Sequence, residues 1–264
     1  MSESPTPPRR PGDVYFFATC LVDQFFPGAG MDAITLLERL GVRVHFPQEQ
    51  TCCGQPAHTS GFPDESRKVA AHQLTLFPGD WPVVIPSGSC AGMMKHHYPT
   101  LFAHDPARKA QAEALSARIY EFTDFLVNVL GWQPQDKGGD CTVVLHTSCS
   151  ARREMGVHLT GRQLLDGLDK VKVAQQDHES ECCGFGGTFS IKQPEISGAM
   201  VEDKVKSLKA TGAECVVSAD CGCLMNILGH AAWKDKQAGL AQPSLPGEHI
   251  ASFLLRRTEE RSGK

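Results

Sequence analysis

Four short apolar runs punctuate the chain, at residues 14–17, 83–85, 143–145 and 216–217. Each is continuous rather than alternating, the pattern of a strand covered on both faces, so the runs predict buried parallel strands. Between them the apolar positions change to helical spacing. "MDAITLLERLG" sets Leu37 and Leu40 on one face and stops at Gly41, directly before "VRVHF", which reads as another strand. "LTGRQLLDGLDKVKV" repeats that order in the second half. "PEISGAMVEDKVKSLKATG" opens on Pro194, spaces Val201, Val205 and Leu208 helically, and leads into a strand containing Cys215. "IYEFTDFLVNVLGW" (119–132) and "GEHIASFLLRR" (247–257) are each predicted as one helix, the second followed by a charged tail.

Both halves therefore read strand, Cys, helix, strand, Cys-Cys-Gly, helix, strand, Cys, helix. A shift of about 130 positions lays Cys20 on Cys149, Cys52 and Cys53 on Cys182 and Cys183, and Cys90 on Cys223. The flanks agree, "VYFFATC" with "TVVLHTSC" and "VVIPSGSC" with "VVSADCGC". A period this long marks a duplicated domain. The expected fold class is α/β, with two duplicated Rossmann-like lobes, parallel sheets and a pseudo-two-fold between them. Residues 13–135 would form the first lobe and 140–255 the second, after a disordered leader over 1–12 and across a polar linker near 133–140. Right-handed crossovers bring the loops at strand carboxyl ends to one sheet edge, where all the matched thiols fall.

Composition narrows the function. With 26 Lys+Arg against 30 Asp+Glu the formal charge is -4, which supplies no field for nucleic acid or an anionic membrane. No eighteen-residue apolar run exists and "MSESPTPPRRPGD" lacks a signal-peptide core, so no membrane span and a cytoplasmic location are expected. A chain of 264 residues needs no disulfide staples. Eleven cysteines in a reducing compartment point to metal binding or redox work.

Four thiolates on one sheet edge form a soft-donor cage for an iron–sulfur cluster or tetrahedral zinc. Structural zinc usually uses Cys-x2-Cys knuckles, whereas these thiols come from three separate loops, a spacing that suits a multi-iron cluster better. Gly54 and Gly184 would take positive φ and bring backbone N–H groups onto sulfur, which tunes reduction potential.

The spacing Cys20-x31-Cys52-Cys53-x36-Cys90, repeated as Cys149-x32-Cys182-Cys183-x39-Cys223, resembles the duplicated cysteine-rich "CCG" domain of heterodisulfide reductase and of the glycolate oxidase iron–sulfur subunit. "TCCGQPA", "PSGSCAGMMKHHYP", "HTSCSARREMG", "ECCGFGGTFS" and "SADCGCLMNI" are most similar to the lactate-utilisation protein A group, over about residues 13–255. That resemblance implies an iron–sulfur subunit of a three-component L-lactate oxidoreductase complex. Its partners would be a ferredoxin-type iron–sulfur subunit and a third subunit. It also implies one cluster per lobe, of 4Fe-4S type, held by Cys20, Cys52, Cys53 and Cys90 and by Cys149, Cys182, Cys183 and Cys223. Zinc in one lobe is the alternative cofactor. Heterodisulfide reductase adds a fifth thiolate per site through Cys-x2-Cys; here Met93 and Asn226 stand in those places, which counts against disulfide chemistry. The ferredoxin run C-x2-C-x2-C-x3-C-P is missing, so a conventional electron wire would lie on a partner.

Other candidates are secondary. Cys221 could replace Cys223, although the register with "SGSC" favours Cys223. Cys141 and Cys215 have no counterparts and read as small apolar fillers. His146, where the first half has Phe17, could bond a cluster sulfur or carry a proton. Arg152 and Arg153 could form a fork for a lactate carboxylate or a partner's acidic surface, and Lys95, His96 and His97 follow Cys90. "CGFGGTF" fails the G-x-G-x-x-G spacing and follows a polar segment, which excludes a nicotinamide loop.

Overall fold

A computed structural model describes residues 10–259, so most of the expected leader lies outside the described residues. Eight strands form two four-stranded, wholly parallel sheets. The first has the order β2-β1-β3-β4, from β1 (Asp13–Phe16), β2 (Arg43–His45), β3 (Val83–Ile85) and β4 (Ile119–Glu121). The second repeats it as β6-β5-β7-β8, from β5 (Cys141–His146), β6 (Val171–Ala174), β7 (Cys215–Ser218) and β8 (Gly247–His249). The protein is thus α/β with duplicated lobes.

Both faces of each sheet are covered, which is why the apolar runs are continuous. Alternation along β1 sends Val14 and Phe16 into a core shared by both lobes, while Tyr15 and Phe17 enter a core private to the first. In β5, Val143 and Leu145 face the shared core and Val144 the private core of the second lobe. Helices Pro27–Arg39 and Ile250–Thr258 fill the layer between the sheets, with Leu36, Leu37, Phe253 and Leu254 buried. Helices Pro63–Gln73 and Pro194–Ala210 lie outside, on opposite lobes.

Two sequence expectations need correction. The segments 119–132 and 247–257 each begin as a strand, and the helices start only at Phe122 and Ile250. Residues 119–121 pair with β3 and 247–249 with β7, a length too short for any periodicity to reveal. Each strand ends in a side chain that caps the following helix. Glu121 Oε2 accepts from Thr123 N (2.7 Å) and Asp124 N (3.1 Å), and His249 Nδ1 accepts from Ala251 N (3.1 Å).

Polar contacts cross between the lobes beside the strand ends. Asp220 Oδ1 accepts from Ser87 Oγ (2.8 Å) and Ser89 Oγ (2.7 Å), and His249 Nε2 donates to Pro86 O (3.0 Å). Thr123 and Thr160 hydroxyls meet at 2.6 Å. Gly88 sits so close to the other lobe that a Cβ would fall 2.3 Å from that of Ala151. Among the described residues, no helix is long and apolar enough to cross a membrane.

Glu121 is fully buried, and burial raises its carboxyl to about 8, against the lowering pull of its bonds to Thr123 and Asp124. An exposed glutamate in the unfolded chain ionises near 4.5. The folded state therefore holds an extra proton between those values, and this contribution to stability, complete at low pH, is lost as pH rises towards 8. Glu121→Gln is expected to remove roughly a few kcal/mol of pH dependence between pH 5 and 8, measured by urea unfolding. An unchanged pH profile would contradict the assignment.

Candidate metal centre

In the first lobe Cys20 opens the helix after β1, Cys52 and Cys53 end the loop after β2, and Cys90 lies in helix Gly88–Gly92 after β3. The four thiols form a row. Cys20 lies next to Cys52, Cys52 adjoins Cys53 in the chain, and Cys53 Sγ donates to Cys90 Sγ at 3.3 Å. Cys53 is buried and the other three half-buried. Cys52 accepts from Cys20, from Cys53 and from Gly54 N (3.4 Å), which holds its thiol far below the ordinary range. Cys20 is pushed up first by its interaction with Cys52 and then by burial, and Cys53 by its interactions with Cys52 and Cys90 and then by burial. Metal binding would release the protons that the thiols carry.

The second lobe repeats the row as Cys149, Cys182, Cys183 and Cys223. Cys182 is the acidic member, accepting from Cys149, from Cys183 and from Gly184 N (3.4 Å). Gly54 and Gly184 take φ of 85° and 83°, as their assigned task requires. Their carbonyls are held alike, Gly54 O by Ser66 Oγ (3.2 Å) and Gly184 O by Ser197 Oγ (2.8 Å). The carbonyl of the second cysteine of each pair is held by different means: Tyr98 Oη donates to Cys53 O (2.9 Å), Asn226 Nδ2 to Cys183 O (2.8 Å). Asn226, in the place of a fifth thiol, is thus a support for the motif.

His146 departs from the repeat. It is 1% exposed, neither ring nitrogen has a partner, and burial holds its pKa down to about 3, so the ring is neutral. Its ligand nitrogen and the sulfurs of Cys183 and Cys223 lie within 4.8 Å of one another. Lys204, 3% exposed, donates to His178 O (2.7 Å) and lies near Cys182 and Cys183. Sequence reading missed Tyr98, Ser66, Ser197 and Lys204, whose contacts span many residues and leave no local signal.

The donor sets fit metal in two ways. A tetrahedral zinc with 2.3 Å bonds brings its sulfurs to about 3.8 Å from each other. Among the described residues of the first lobe no three ligand groups lie within 4.8 Å of one another. His146, Cys183 and Cys223 are compact enough for a single ion.

The other candidates separate clearly. Cys223 touches Cys183, whereas Cys221 is buried between the rows, its thiol raised by burial, by Asp220 and by Cys90. Arg152 pairs with Glu179 (2.7 Å), while Arg153 is exposed. Lys95 donates to Ile119 O (2.8 Å), His96 bonds Glu154 O (3.0 Å), and His97 stacks near His58. Cys141 and Cys215 pack at strand starts.

The cysteine-rich CCG domain model matches residues 14–95 and 143–228, once per lobe. Lactate utilization protein A 1 of Bacillus mycoides (strain KBAB4) is 47% identical over 82% of this chain and 88% of its own. Lactate utilization protein A of Bacillus subtilis (strain 168) is 44% identical over 92% of this chain and 99% of its own. The chain belongs to the lactate utilization protein A family. The fold has a solved counterpart in a hypothetical protein from Helicobacter pylori, with TM-score 0.67 and 10% identity, covering 96% of this chain and 50% of that one. As a lactate utilization protein A family member, the chain carries both CCG copies complete, each with its glycine in the left-handed region.

Those glycines differ in tolerance. A Cβ on Gly184 would lie 2.6 Å from Ser197 O, whereas one on Gly54 would meet Ser66 Oγ at 3.2 Å. Both alanine substitutions incur roughly 1–2 kcal/mol for the left-handed backbone. Gly184→Ala is expected to cost more than Gly54→Ala, by about 1 kcal/mol or more, in thermal unfolding. Equal losses would show that the second motif relaxes freely.

Proposed function

We propose that this chain is the iron–sulfur electron-transfer subunit of a multi-subunit complex that oxidises L-lactate. The observation that carries the reading is the pair of four-thiol rows, each strung along one sheet edge with a glycine N–H on its most acidic sulfur. Cys20, Cys52, Cys53 and Cys90 would hold one centre, and Cys149, Cys182, Cys183 and Cys223 the other. A thiolate-held cluster supplies one-electron transfer; the chain contributes ligand charge, N–H bonds to sulfur and burial. The relatives' names supply the substrate, and the 2-hydroxy acid class follows from it. A ferredoxin-type subunit would take the electrons, docking near the exposed Phe62 and Ile191, which lie on segments following the two CCG motifs.

A zinc-holding role in the second lobe is the alternative reading, favoured there by the compact His146, Cys183 and Cys223 group. Thiol–disulfide chemistry is disfavoured, because Met93 is buried in a private core and Asn226 is committed to the Cys183 carbonyl.

Iron, zinc and acid-labile sulfide per chain, measured on anaerobically purified protein, test the reading. Cys53→Ser and Cys183→Ser are each expected to remove roughly half the iron, since each row is built within one lobe. Stoichiometric zinc without sulfide would overturn the cluster assignment, and loss of all iron from either substitution would mean one shared centre.

The two centres should also differ in potential. The first lobe has the neutral Phe17 and Gln73 where the second has His146 and Lys204, and a buried cation near the thiolates favours the reduced, more negative cluster. Potentiometric EPR is expected to resolve two signals, with Lys204→Gln lowering one potential by on the order of tens of millivolts and sparing the other. Two equal shifts, or none, would contradict this.

A further inference from the structure

The second lobe holds a cavity of about 160 Å³, lined by Leu145, Arg152, His158, Arg162, Gln176 and Glu179 together with Val173, Ala174 and Gln175. Its volume equals roughly five waters, too small for a drug-sized ligand and suited to a metabolite of a few heavy atoms. It sits between the turn that follows Cys149, which carries Arg152, and the segment leading to Cys182, which carries Gln176 and Glu179.

Its polar groups are underused. Gln176 is 4% exposed; its Nε2 donates to Leu145 O (2.7 Å), but its Oε1 is buried with no donor. His158 Nδ1 is likewise buried and unpartnered. Arg162 is tied to Asp166 through Nε alone (2.8 Å), and among the described residues its terminal nitrogens have no partner. Arg152 meets Glu179 Oε1 (2.7 Å) and Thr147 Oγ1 (3.3 Å) through one terminal nitrogen, leaving the other. Arg152 is paired with Glu179 and Arg162 with Asp166, so the lining is balanced in charge, and what it offers a carboxylate is the remaining guanidinium N–H donors.

The fold does not require this arrangement. In the first lobe the counterpart Gln50 also donates to a strand carbonyl, Phe16 O (2.8 Å), but its Oε1 accepts from Ala18 N (3.0 Å). The position matching Arg152 is Asp23 there, so the same frame offers no guanidinium at that position. A buried acceptor left open on a cavity that also carries guanidinium donors suits a ligand with both a hydroxyl and a carboxylate.

We propose that this cavity binds a small 2-hydroxy acid, its carboxylate on Arg152 and Arg162, its hydroxyl donating to Gln176 Oε1, and its alkyl group against Leu145 and Val173. The choice of a 2-hydroxy acid rests on the lactate-oxidation reading above, and the site would place that substrate on this chain, in the second lobe.

Titration calorimetry on the full, anaerobically purified protein tests it, with L-lactate and propionate as probes. These share a carboxylate and three carbons and differ by the hydroxyl. L-Lactate is expected to bind saturably and roughly tenfold more tightly than propionate. Arg162→Gln, a change on a half-exposed helix position, should weaken both acids about tenfold, and Gln176→Leu should bring lactate to the level of propionate. The absence of saturable lactate binding, equal affinities for the two acids, or indifference to Arg162→Gln would each overturn the proposal, whether or not Gln176→Leu folds. Iron and sulfide on the same samples separate the two readings. Normal content without lactate binding sinks the cavity alone, and lactate binding without iron sinks the electron-transfer role and leaves the cavity standing.

Discussion

Parallel pairing of one strand with a neighbour on each side constrains everything else in this protein. β1 pairs with β2 and β3, and β5 with β6 and β7, all in one direction. Three successive loops must then leave the same edge, on either side of the point where the strand order reverses. Cys20, the Cys52–Cys53 pair and Cys90 occupy those loops, so residues far apart in the chain meet without any local motif to bring them together. An antiparallel hairpin would send alternate loops to opposite edges, and the row could not form.

On this repeated frame the two lobes have diverged in charge, and the divergence runs one way. Gln73 and Asp23 stand in the first lobe where Lys204 and Arg152 stand in the second, and Phe17 stands where the second has the neutral His146. Backbone geometry around the sulfurs is nearly unchanged: both glycines sit near the same φ, and both carbonyls take a serine hydroxyl. Duplication has preserved the parts that shape a thiol row and changed polar and charged side chains around it.

Much of this was legible beforehand, for identifiable reasons. Continuous apolar runs marked β1, β3, β5 and β7 because strands buried on both faces tolerate no polar alternation, and the thiol offset exposed the duplication. β4 and β8 were hidden because three residues leading straight into an amphipathic helix carry no period of their own. The eight thiols were readable as a set. Tyr98 and Lys204 were not, since a tyrosine bonding a carbonyl 45 positions away, or a lysine buried by tertiary packing, looks like any other in sequence. His146 was visible as a break in the repeat, but only its two unpartnered nitrogens turn that break into a statement about chemistry.

The shared core makes the pair of rows one device rather than two. Separating the lobes would expose Leu36, Leu37, Phe253 and Leu254 together and break the Asp220 contacts to Ser87 and Ser89. At the CCG motifs the lobes also touch directly, through Ser60 Oγ and Thr188 Oγ1 at 2.5 Å and through Gly187 against Pro56. Apolar burial on this scale outweighs the few polar contacts in holding the lobes, while the contacts set their register. The separation of the two rows is therefore set by packing that no single loop movement can alter.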